Sequence, residues 1–585
     1  MPVLLPAVVA LGSGWWGIDR QNSMWRDESV TYQVAHRSLG DLWDLLGTID
    51  AVHGLYYVLM HVVFALWDGG PAALRLPSVL ATAVAAAGVG AIGAGLAGRR
   101  AGAFAGLVFV ALPVTQHYAQ EGRSYALVSA AVVWATYFFL RGVTAGGGRG
   151  WAAYALTLGL ACWLHEFAVL VLVAHGLTLW LVRVPSRVWR RWGIVSAVVL
   201  VTVLPLAVVS AGQADQQLGW LGRPGLAAWL RFLATSSAGV LLSRFLVRGA
   251  ARMTVRGGDR GTLLACLALP MLVAPAGVLM TFSLVRPWYV ERYVLYGMVG
   301  LALLAGAALD RLAGLRDGLA PVARMLIVLV SAVVVLLVLV PWSMLVRSPE
   351  SRKDDVVAVA QAVGRVAGPD DGLLFMPARR REWLLSYPSV YGRLEDLALA
   401  ESPAASGTLQ GVELPAEMIR QNILAHDRIV ALTDLPGQPL DTVVEEAVKR
   451  RALASHFRPC ERVRVRGARV IVYARAGNCG SGSEPPDASI GGGPDRIGPA
   501  YARAGGHALR TILRHACSRV HPWRRSLMSA GGYARMLAGD PVGAFAGGPD
   551  EHARARRLQL SRAEATSVRR GTAGGKEHAA DSLSG

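Results

Sequence analysis

Apolar stretches long enough to cross a membrane recur along this 585-residue chain and constrain its fold more than any other feature. A helix needs about 17–25 mostly apolar residues to span a bilayer. With 53% hydrophobic residues and a mean hydropathy of +0.39, the chain can supply many such helices. The predicted spans, about eleven, are 2–18, 74–97, 101–118, 125–141, 151–165, 167–182, 193–211, 228–247, 262–285, 289–309 and 324–344. The sequence therefore predicts a polytopic α-helical membrane bundle.

The basic residues mark one side of this predicted bundle. The formal net charge of +19 and the pI of about 10.3 can signal nucleic-acid binding. Most basic residues flank apolar segments, however, as the positive-inside rule expects of cytoplasmic loops. We therefore expect no nucleic-acid partner. The loops that carry acids, aromatic residues and His are predicted to face outward, as is the chain after residue 345.

The composition divides the chain into three parts. Residues 1–345 form the predicted transmembrane domain. Residues 346–479 mix helical and short strand patterns, which predicts a small extracytoplasmic α/β domain. Cys460 and Cys479 flank a strand-like stretch of that domain, and on an oxidising side they are either free or joined in a disulfide. Residues 480–585 are rich in Gly, Ala, Arg and Ser without periodicity, which predicts a disordered basic tail.

Two amphipathic helices are predicted in the long loop after the first span, at 38–47 and 54–67. The second is too short to cross a bilayer with ease. It contains two tyrosines and ends on Trp67, a composition typical of the membrane interface. We expect it to lie in the interface with its tyrosines and Trp67 at headgroup level.

Two adjacent acids, Asp27 and Glu28, follow the first predicted span. Acids at a membrane face are costly unless they do chemistry, bind a cation or pair with a base. One interpretation is a solvated pair or a helix cap. The other is one catalytic carboxylate with a companion that orients it or holds a divalent cation. The position directly before a long interfacial loop favours the second interpretation.

A second charged cluster, Gln120, Glu121 and Arg123, lies between the third and fourth predicted spans, on the same predicted outer face. The simpler interpretation is an Arg–Glu pair that caps the next helix. The functional interpretation places Glu121 opposite Asp27 as a second carboxylate. Arg123 then binds the phosphate, because a guanidinium group can donate two parallel hydrogen bonds to phosphate oxygens.

Other polar residues mark the same face. Arg292 and Tyr293 enter the membrane region at the tenth predicted span, where an unpaired arginine is costly, so Arg292 should pair with an acid or a ligand anion. Arg75 begins the second span, either as an interfacial anchor or as a ligand contact. His53 precedes the interfacial helix, and His165 lies at a short outer turn.

The sequence has no P-loop, no dinucleotide fingerprint and no zinc-ligand spacing. A soluble nucleotide donor is therefore not supported. A lipid-linked phosphate donor fits better, because its tail can lie between helices while its headgroup meets arginines at the outer face.

Taken in order, these clusters resemble the GT-C superfamily of membrane glycosyltransferases, in its protein O-mannosyltransferase and aminoarabinose-transferase branch. The resemblance covers roughly residues 1–345. It rests on the order and spacing of five stretches, 25–28, 53–57, 73–78, 120–127 and 291–293. Gly54 stands where the family pattern has proline after the histidine, and Glu166 also departs from the pattern.

The resemblance implies roles for these residues. Asp27 is implied to be the base or a metal-proximal carboxylate, Glu28 its catalytic companion and Glu121 the second acidic site. The implied contacts of the donor phosphate are Arg123, Arg292, Arg75 and His53. The implied lining of the substrate cavity is Gln120, His165, Tyr293 and Tyr57. Mg²⁺ or Mn²⁺, if used, would be held by Asp27 and Glu121.

The implied reaction is inverting transfer of a sugar from a polyprenyl-phosphate donor to a hydroxyl of a glycan, protein or lipid. It would take place at the outer face of the plasma membrane, among membrane lipids. The alternative is a polytopic transporter or a flippase of lipid-linked sugars. A transporter favours charged groups at helix midpoints, broken helices and an internal repeat. The sequence shows no half-to-half repeat, and its acids cluster at one face.

Overall fold

The computed structural model describes residues 1–219, 221–250, 260–315, 320–475, 479 and 488–489. Within it, Met1–Ile497 form one compact unit. The predicted tail, 480–585, lies outside the described residues apart from the short strand at 488–489.

The membrane part is helical throughout, so the predicted polytopic fold is confirmed. All eleven predicted spans fall on helices. The helices are α1 (Leu4–Trp15), α2 (Arg26–Ala35), α3 (Leu39–Thr48), α4 (Gly54–Leu66), α5 (Gly70–Ala97), α6 (Arg99–Ala111), α7 (Pro113–Ala119), α8 (Tyr125–Ala145), α9 (Gly148–Leu164), α10 (Val171–Val182), α11 (Ser186–Leu218), α12 (Leu226–Ala250), α13 (Arg260–Phe282), α14 (Met298–Leu315) and α15 (Pro321–Val346). Short 3₁₀ turns at Ala51–His53, Glu166–Leu170 and Glu291–Gly297 lead into α4, α10 and α14.

Helix length separates these segments into two groups. Among the described residues, six helices are long and apolar enough to cross a membrane. A seventh span results if α6 and α7, which meet at an angle of 66°, act as one. Pro113 explains that bend, because proline cannot donate the hydrogen bond that would continue α6. By length alone, fewer helices therefore qualify than the eleven predicted, and α1 and α10 have only 12 residues each.

The basic loops gather at one end of the bundle, which we call the basic end. There Arg100 pairs with Asp310, and Arg191 donates a hydrogen bond to the carbonyl of Gly146. Arg311 Nη1 donates to the carbonyl oxygen of Phe245 at 2.7 Å. The described residues of the loops predicted to be cytoplasmic therefore lie at one end of the helices, and the acidic clusters lie at the other.

Helices α2, α3 and α4 cover that other end. Helix α4 is the predicted interfacial helix, but its tyrosines face the interior of the protein. Tyr56 and Tyr57 are fully buried within the protein, whereas Trp67 is exposed. The tyrosines face inward because α4 packs against α2 and α5, a tertiary arrangement that its composition does not encode.

The chain after α15 forms an α/β fold. Its helices are α16 (Val356–Val366), α17 (Pro388–Tyr391), α18 (Ala416–Ala425) and α19 (Val444–His456). Its strands are β1 (Gly372–Met376), β2 (Glu395–Asp396), β3 (Leu399–Glu401), β4 (Val412–Glu413), β5 (Arg428–Thr433), β6 (Arg458–Val465), β7 (Ala468–Ala474) and β8 (Ala488–Ser489). The main sheet has the order β2-β1-β5-β7-β6-β8, with β1 parallel to β2 and β5. A disulfide joins Cys460 to Cys479, with the two Cα atoms 5.5 Å apart.

This α/β part packs directly on α2. The backbone N–H of Val356 donates to the carbonyl of Met24 at 2.7 Å. Asp354 Oδ1 accepts from the backbone N–H of Arg26, also at 2.7 Å. Ser29 Oγ lies 2.7 Å from Ser386 Oγ. These contacts place the α/β part over the end of the bundle that carries Asp27.

Candidate functional site

The two adjacent acids begin α2 and point in different directions. Successive residues on an α-helix are about 100° apart, so neighbours do not share a face. Asp27 keeps 18% of its side chain exposed, whereas Glu28 is 0% exposed. Of these two acids, only Asp27 can therefore contact a substrate.

Glu28 is at the centre of a buried ion-pair network. Its Oε1 accepts from Arg75 Nε at 2.8 Å and from the backbone N–H of Gly122 at 3.0 Å. Its Oε2 accepts from Arg75 Nη2 at 2.7 Å and from Arg20 Nη1 at 3.2 Å. The sequence interpretation made Glu28 a catalytic companion and Arg75 a donor-phosphate contact. The structure instead has both side chains fully buried and engaged with each other, so their role is to hold α2, α5 and the loop before α8 together.

Asp27 faces a group of cations. Its Oδ2 lies 3.4 Å from Arg292 Nη2. Burial alone would raise the pKa of Asp27, but Arg123, Arg292 and Lys353 outweigh that effect and lower it to about 2. Asp27 is therefore an ionised carboxylate with cations around it, which is the charge pattern needed to hold an anion next to a base.

Arg123 and Arg292 are each oriented by aromatic side chains. Arg123 Nη1 donates to the Tyr57 hydroxyl at 3.2 Å, and that hydroxyl donates to Asp50 Oδ2 at 2.6 Å. The guanidinium of Arg292 lies 5.6 Å from the ring centroid of Tyr125. These contacts fix the guanidinium planes and leave part of their hydrogen-bonding capacity for a ligand.

Glu121 does not face Asp27 directly. Its Oε2 lies 2.8 Å from Arg352 Nη2, its side chain is 1% exposed, and burial raises its pKa. Neighbouring Gln120, predicted to line the cavity, donates from Nε2 to the carbonyls of Gly14 (2.8 Å) and Trp16 (2.7 Å). Gln120 is therefore engaged with the end of α1 rather than with a cavity, and Glu121 is positioned to orient Arg352.

The predicted histidines and Tyr293 do come together. The rings of His53 and His165 are 5.9 Å apart, and those of His165 and Tyr293 are 4.5 Å apart. Burial lowers the pKa of His53 well below its usual value. In each histidine ring Nδ1 is buried and has no hydrogen-bond partner in the described part of the chain. Neutral His53 can offer a phosphate a hydrogen bond but no charge.

Sequence reasoning missed the segment that joins α15 to the α/β part. Arg352 contacts Glu121 and donates to His117 Nδ1 at 2.9 Å. Lys353 Nζ lies 5.4 Å from the centroid of a Trp25 ring and lowers the pKa of Asp27. Two signals were available, because the sequence contains only three lysines and this one lies nine residues after the last predicted span, 324–344.

The predicted metal ligands do not converge. Asp27 contacts Arg292, and Glu121 contacts Arg352, so each carboxylate faces a guanidinium rather than the other. In the ranges that the structure describes, no group of three His, Cys, Asp or Glu side chains is placed to hold a metal. These residues do not fit a resident Mg²⁺ or Mn²⁺, and we assign no chemical step to one.

Known proteins share this architecture. A family model described as dolichyl-phosphate-mannose-protein mannosyltransferase matches residues 55–211. ArnT from Cupriavidus metallidurans, solved with undecaprenyl phosphate, is similar with a TM-score of 0.53 and 16% identity over 80% of this chain and 97% of ArnT. Its apo structure has a TM-score of 0.53 and 15% identity over the same shares, 80% and 97%. The oligosaccharyltransferase AglB from Archaeoglobus fulgidus has a TM-score of 0.37 and 10% identity over 73% of this chain and 69% of AglB. No curated protein matches the sequence. At 15–16% identity the likeness to ArnT shows the fold alone.

Proposed function

We propose that this chain is a multi-pass membrane glycosyltransferase of the GT-C type and that it transfers a sugar from a polyprenyl-phosphate donor to an acceptor hydroxyl with inversion at the anomeric carbon. One observation carries the proposal: the partly exposed carboxylate of Asp27 is surrounded by Arg123, Arg292 and Lys353. A base beside an anion site is the minimum that such a displacement needs.

The reaction follows from this arrangement. The acceptor oxygen attacks the anomeric carbon, and its proton passes to the Asp27 carboxylate. The bond between that carbon and the phosphate oxygen breaks, and the electron pair leaves with the polyprenyl phosphate. Arg123 and Arg292 stabilise the negative charge that develops on the leaving oxygen.

The ion pair between Asp27 and Arg292 suggests how binding of the donor makes Asp27 a stronger base. A carboxyl group with a pKa of about 2 is a weak proton acceptor. A donor phosphate beside Arg292 would compete for the guanidinium that lies 3.4 Å from Asp27 Oδ2. Loss of that partner and the approach of a second anion both raise the pKa of a carboxyl group. The base would then reach full strength only when the donor is bound.

Arg123→Ala and Arg292→Ala should each weaken use of the donor by about 10- to 100-fold. The estimate follows from the 1.5–3 kcal/mol that a hydrogen bond to a charged group contributes. The measurement is the apparent affinity for a polyprenyl-phosphate sugar in a transfer assay with purified protein. Arg100→Ala is the matched control, because Arg100 pairs with Asp310 at the basic end. Unchanged donor dependence in both site variants would refute the phosphate role.

We also propose the orientation of the chain in the plasma membrane. The basic end would face the cytoplasm, and the Asp27 end with the α/β part would face outward, as the positive-inside rule requires. The acceptor and donor headgroup would then meet outside the cell, at a face rich in arginine, histidine and tyrosine.

Labelling of single cysteines tests this orientation. Ala400 and Arg187 are both exposed; Ala400 lies in the α/β part and Arg187 in the first turn of α11. In a cysteine-free background, Ala400→Cys should react with a membrane-impermeant maleimide in intact cells, whereas Arg187→Cys should react only after lysis. The opposite pattern would reverse the proposed topology.

The donor class has its own direct test. Purified protein incubated with a panel of polyprenyl-phosphate sugars should release polyprenyl phosphate from at least one of them, and should release more in the presence of acceptor. Soluble nucleotide sugars serve as the comparison. Transfer from a nucleotide sugar without any lipid-linked donor would contradict the proposal.

A further inference from the structure

A cavity of about 420 Å³ opens in the α/β part of the chain, outside the site around Asp27. It is lined by the segment that directly follows β1, Pro377 to Arg379, together with residues from β4 and the start of α19. Strands β1 and β5 are parallel, so the cavity lies by the carboxyl end of a parallel strand. Ligands of open α/β sheets bind at this edge, because loops rather than strands shape it.

The charged lining of this cavity is mainly acidic. Its carboxylates are Glu413, Asp441, Glu445 and Glu446. The lining has one cation, Arg379. Its Nη2 lies 2.6 Å from Oδ2 of Asp434, a residue outside the lining. The cavity therefore presents net negative charge to whatever enters it.

Two buried cations below the lining neutralise part of this negative charge. Lys449 is fully buried, and its Nζ lies 2.6 Å from Glu413 Oε2 and 2.8 Å from Glu446 Oε1. Arg381 Nη2 also contacts Glu413 Oε1, at 2.9 Å. These two cations pair with both carboxylate oxygens of Glu413 and with one carboxylate oxygen of Glu446. Asp441 and Glu445 are left with no cation within ion-pair distance among the contacts described.

One oxygen of the lining lacks a donor. Glu446 is 1% exposed, and its Oε1 accepts from Lys449 Nζ and from the backbone N–H of Ala378. Its Oε2 is buried and has no hydrogen-bond partner among the described residues. An unsatisfied buried carboxylate oxygen is costly, and a donor supplied by a ligand would remove that cost.

We propose that this cavity is a binding site for a ligand that carries a protonated amine or guanidinium group. That group donates a hydrogen bond to Glu446 Oε2, and Asp441 and Glu445 neutralise its charge. The lining contains no aromatic side chain that would stack on a sugar ring, so charge rather than stacking drives recognition.

The cavity is connected to the site around Asp27 by one short turn. The 3₁₀ helix Ala378–Trp383 begins in the cavity lining, and near its end Glu382 Oε2 lies 3.0 Å from Arg26 Nε. Arg26 precedes Asp27. A basic segment of the acceptor is the natural occupant, because one end of it would be held here while its hydroxyl reaches the base. This identification, unlike binding itself, rests on the proposed transferase function.

Binding is tested with full-length protein in detergent and without any donor, so its outcome does not depend on transfer. The probes are a blocked tripeptide with a central lysine and the same tripeptide with glutamine. We expect the lysine tripeptide to bind about tenfold more tightly, as one charge-assisted hydrogen bond provides. Glu446→Gln, which keeps an oxygen for Lys449 and Ala378, should abolish that preference.

Glu417→Gln is the matched control, because Glu417 is an exposed glutamate on α18 that pairs with Arg420 outside the cavity. It should leave the preference for lysine intact. Glu445→Gln, at a half-buried position of the lining, should reduce that preference and covers the case in which Glu446→Gln fails to fold. Equal binding of the two tripeptides, or equal weakening by Glu417→Gln and Glu446→Gln, would overturn the proposal. So would a neutral methyl glycoside that binds more tightly than the lysine tripeptide and is weakened by Glu446→Gln.

Discussion

Asp27→Asn should lower kcat for sugar transfer by about 10²- to 10⁴-fold, the range that a positioned general base contributes. Asparagine has nearly the same shape but cannot accept the proton of the acceptor hydroxyl. The donor should bind as well as before or more tightly, because Arg292 loses the carboxylate that lies 3.4 Å from its Nη2. A large fall in kcat without a rise in KM for the donor distinguishes a lost base from a lost binding contact.

The control for this variant is Asp68→Asn. Asp68 belongs to the same long loop, but it is exposed and contacts Tyr32 and His36 instead of the cluster around Asp27. Its replacement should change kcat less than twofold. If Asp27→Asn retains activity within about tenfold of the unchanged protein, the base lies elsewhere, since that loss falls below the general-base range.

Glu28→Gln should destabilise the fold by about 3–5 kcal/mol, the cost of removing one partner from a buried ion pair. The variant leaves Arg20 and Arg75 buried without their shared carboxylate, and burial already lowers the pKa of Arg20. We expect a lower midpoint in unfolding by denaturing detergent and a lower yield of folded protein. Activity should fall with the folded fraction.

Glu417→Gln is again a suitable comparison, because Glu417 and Arg420 form an exposed pair, a class that contributes about 0–1 kcal/mol. Asp27→Asn should keep a midpoint near that of the unchanged protein. The structure predicts that Asp27→Asn loses activity but keeps its stability. It predicts that Glu28→Gln loses both. Equal midpoints for Glu28→Gln and Glu417→Gln would mean that the buried network does not support the fold.

The two adjacent acids show how much of the site can be predicted from the sequence. Sequence spacing placed Asp27 and Glu28 at a membrane face beside a long loop. It did not separate their roles, because both residues are carboxylates in the same charged stretch. The separation comes from α2, which directs Glu28 towards Arg20 and Arg75 and leaves Asp27 partly exposed.

Arg75 and Gln120 illustrate the same limit. Each is a polar residue next to a predicted span, where an anchor, a ligand contact and a buried partner produce the same local pattern. The structure engages Arg75 with Glu28 and Gln120 with the carbonyls that end α1. Their partners lie 47 and 106 residues away, so periodicity and composition carry no signal of the pairing.

By itself the sequence determined the fold class, a polytopic helical membrane bundle, and predicted that the acidic and arginine clusters share one face of it. Both follow from local properties, the length of apolar runs and the distribution of arginine and acids around them. Only the tertiary structure decided which of the two adjacent carboxylates is accessible and that the segment joining α15 to the α/β part contributes Arg352 and Lys353 to the site. Those outcomes depend on burial and on charges that are far apart in the sequence, such as Asp27 and Lys353, which are separated by 326 positions. The physical reason is that the pKa and the exposure of a side chain are set by its neighbours in space rather than by its neighbours in sequence.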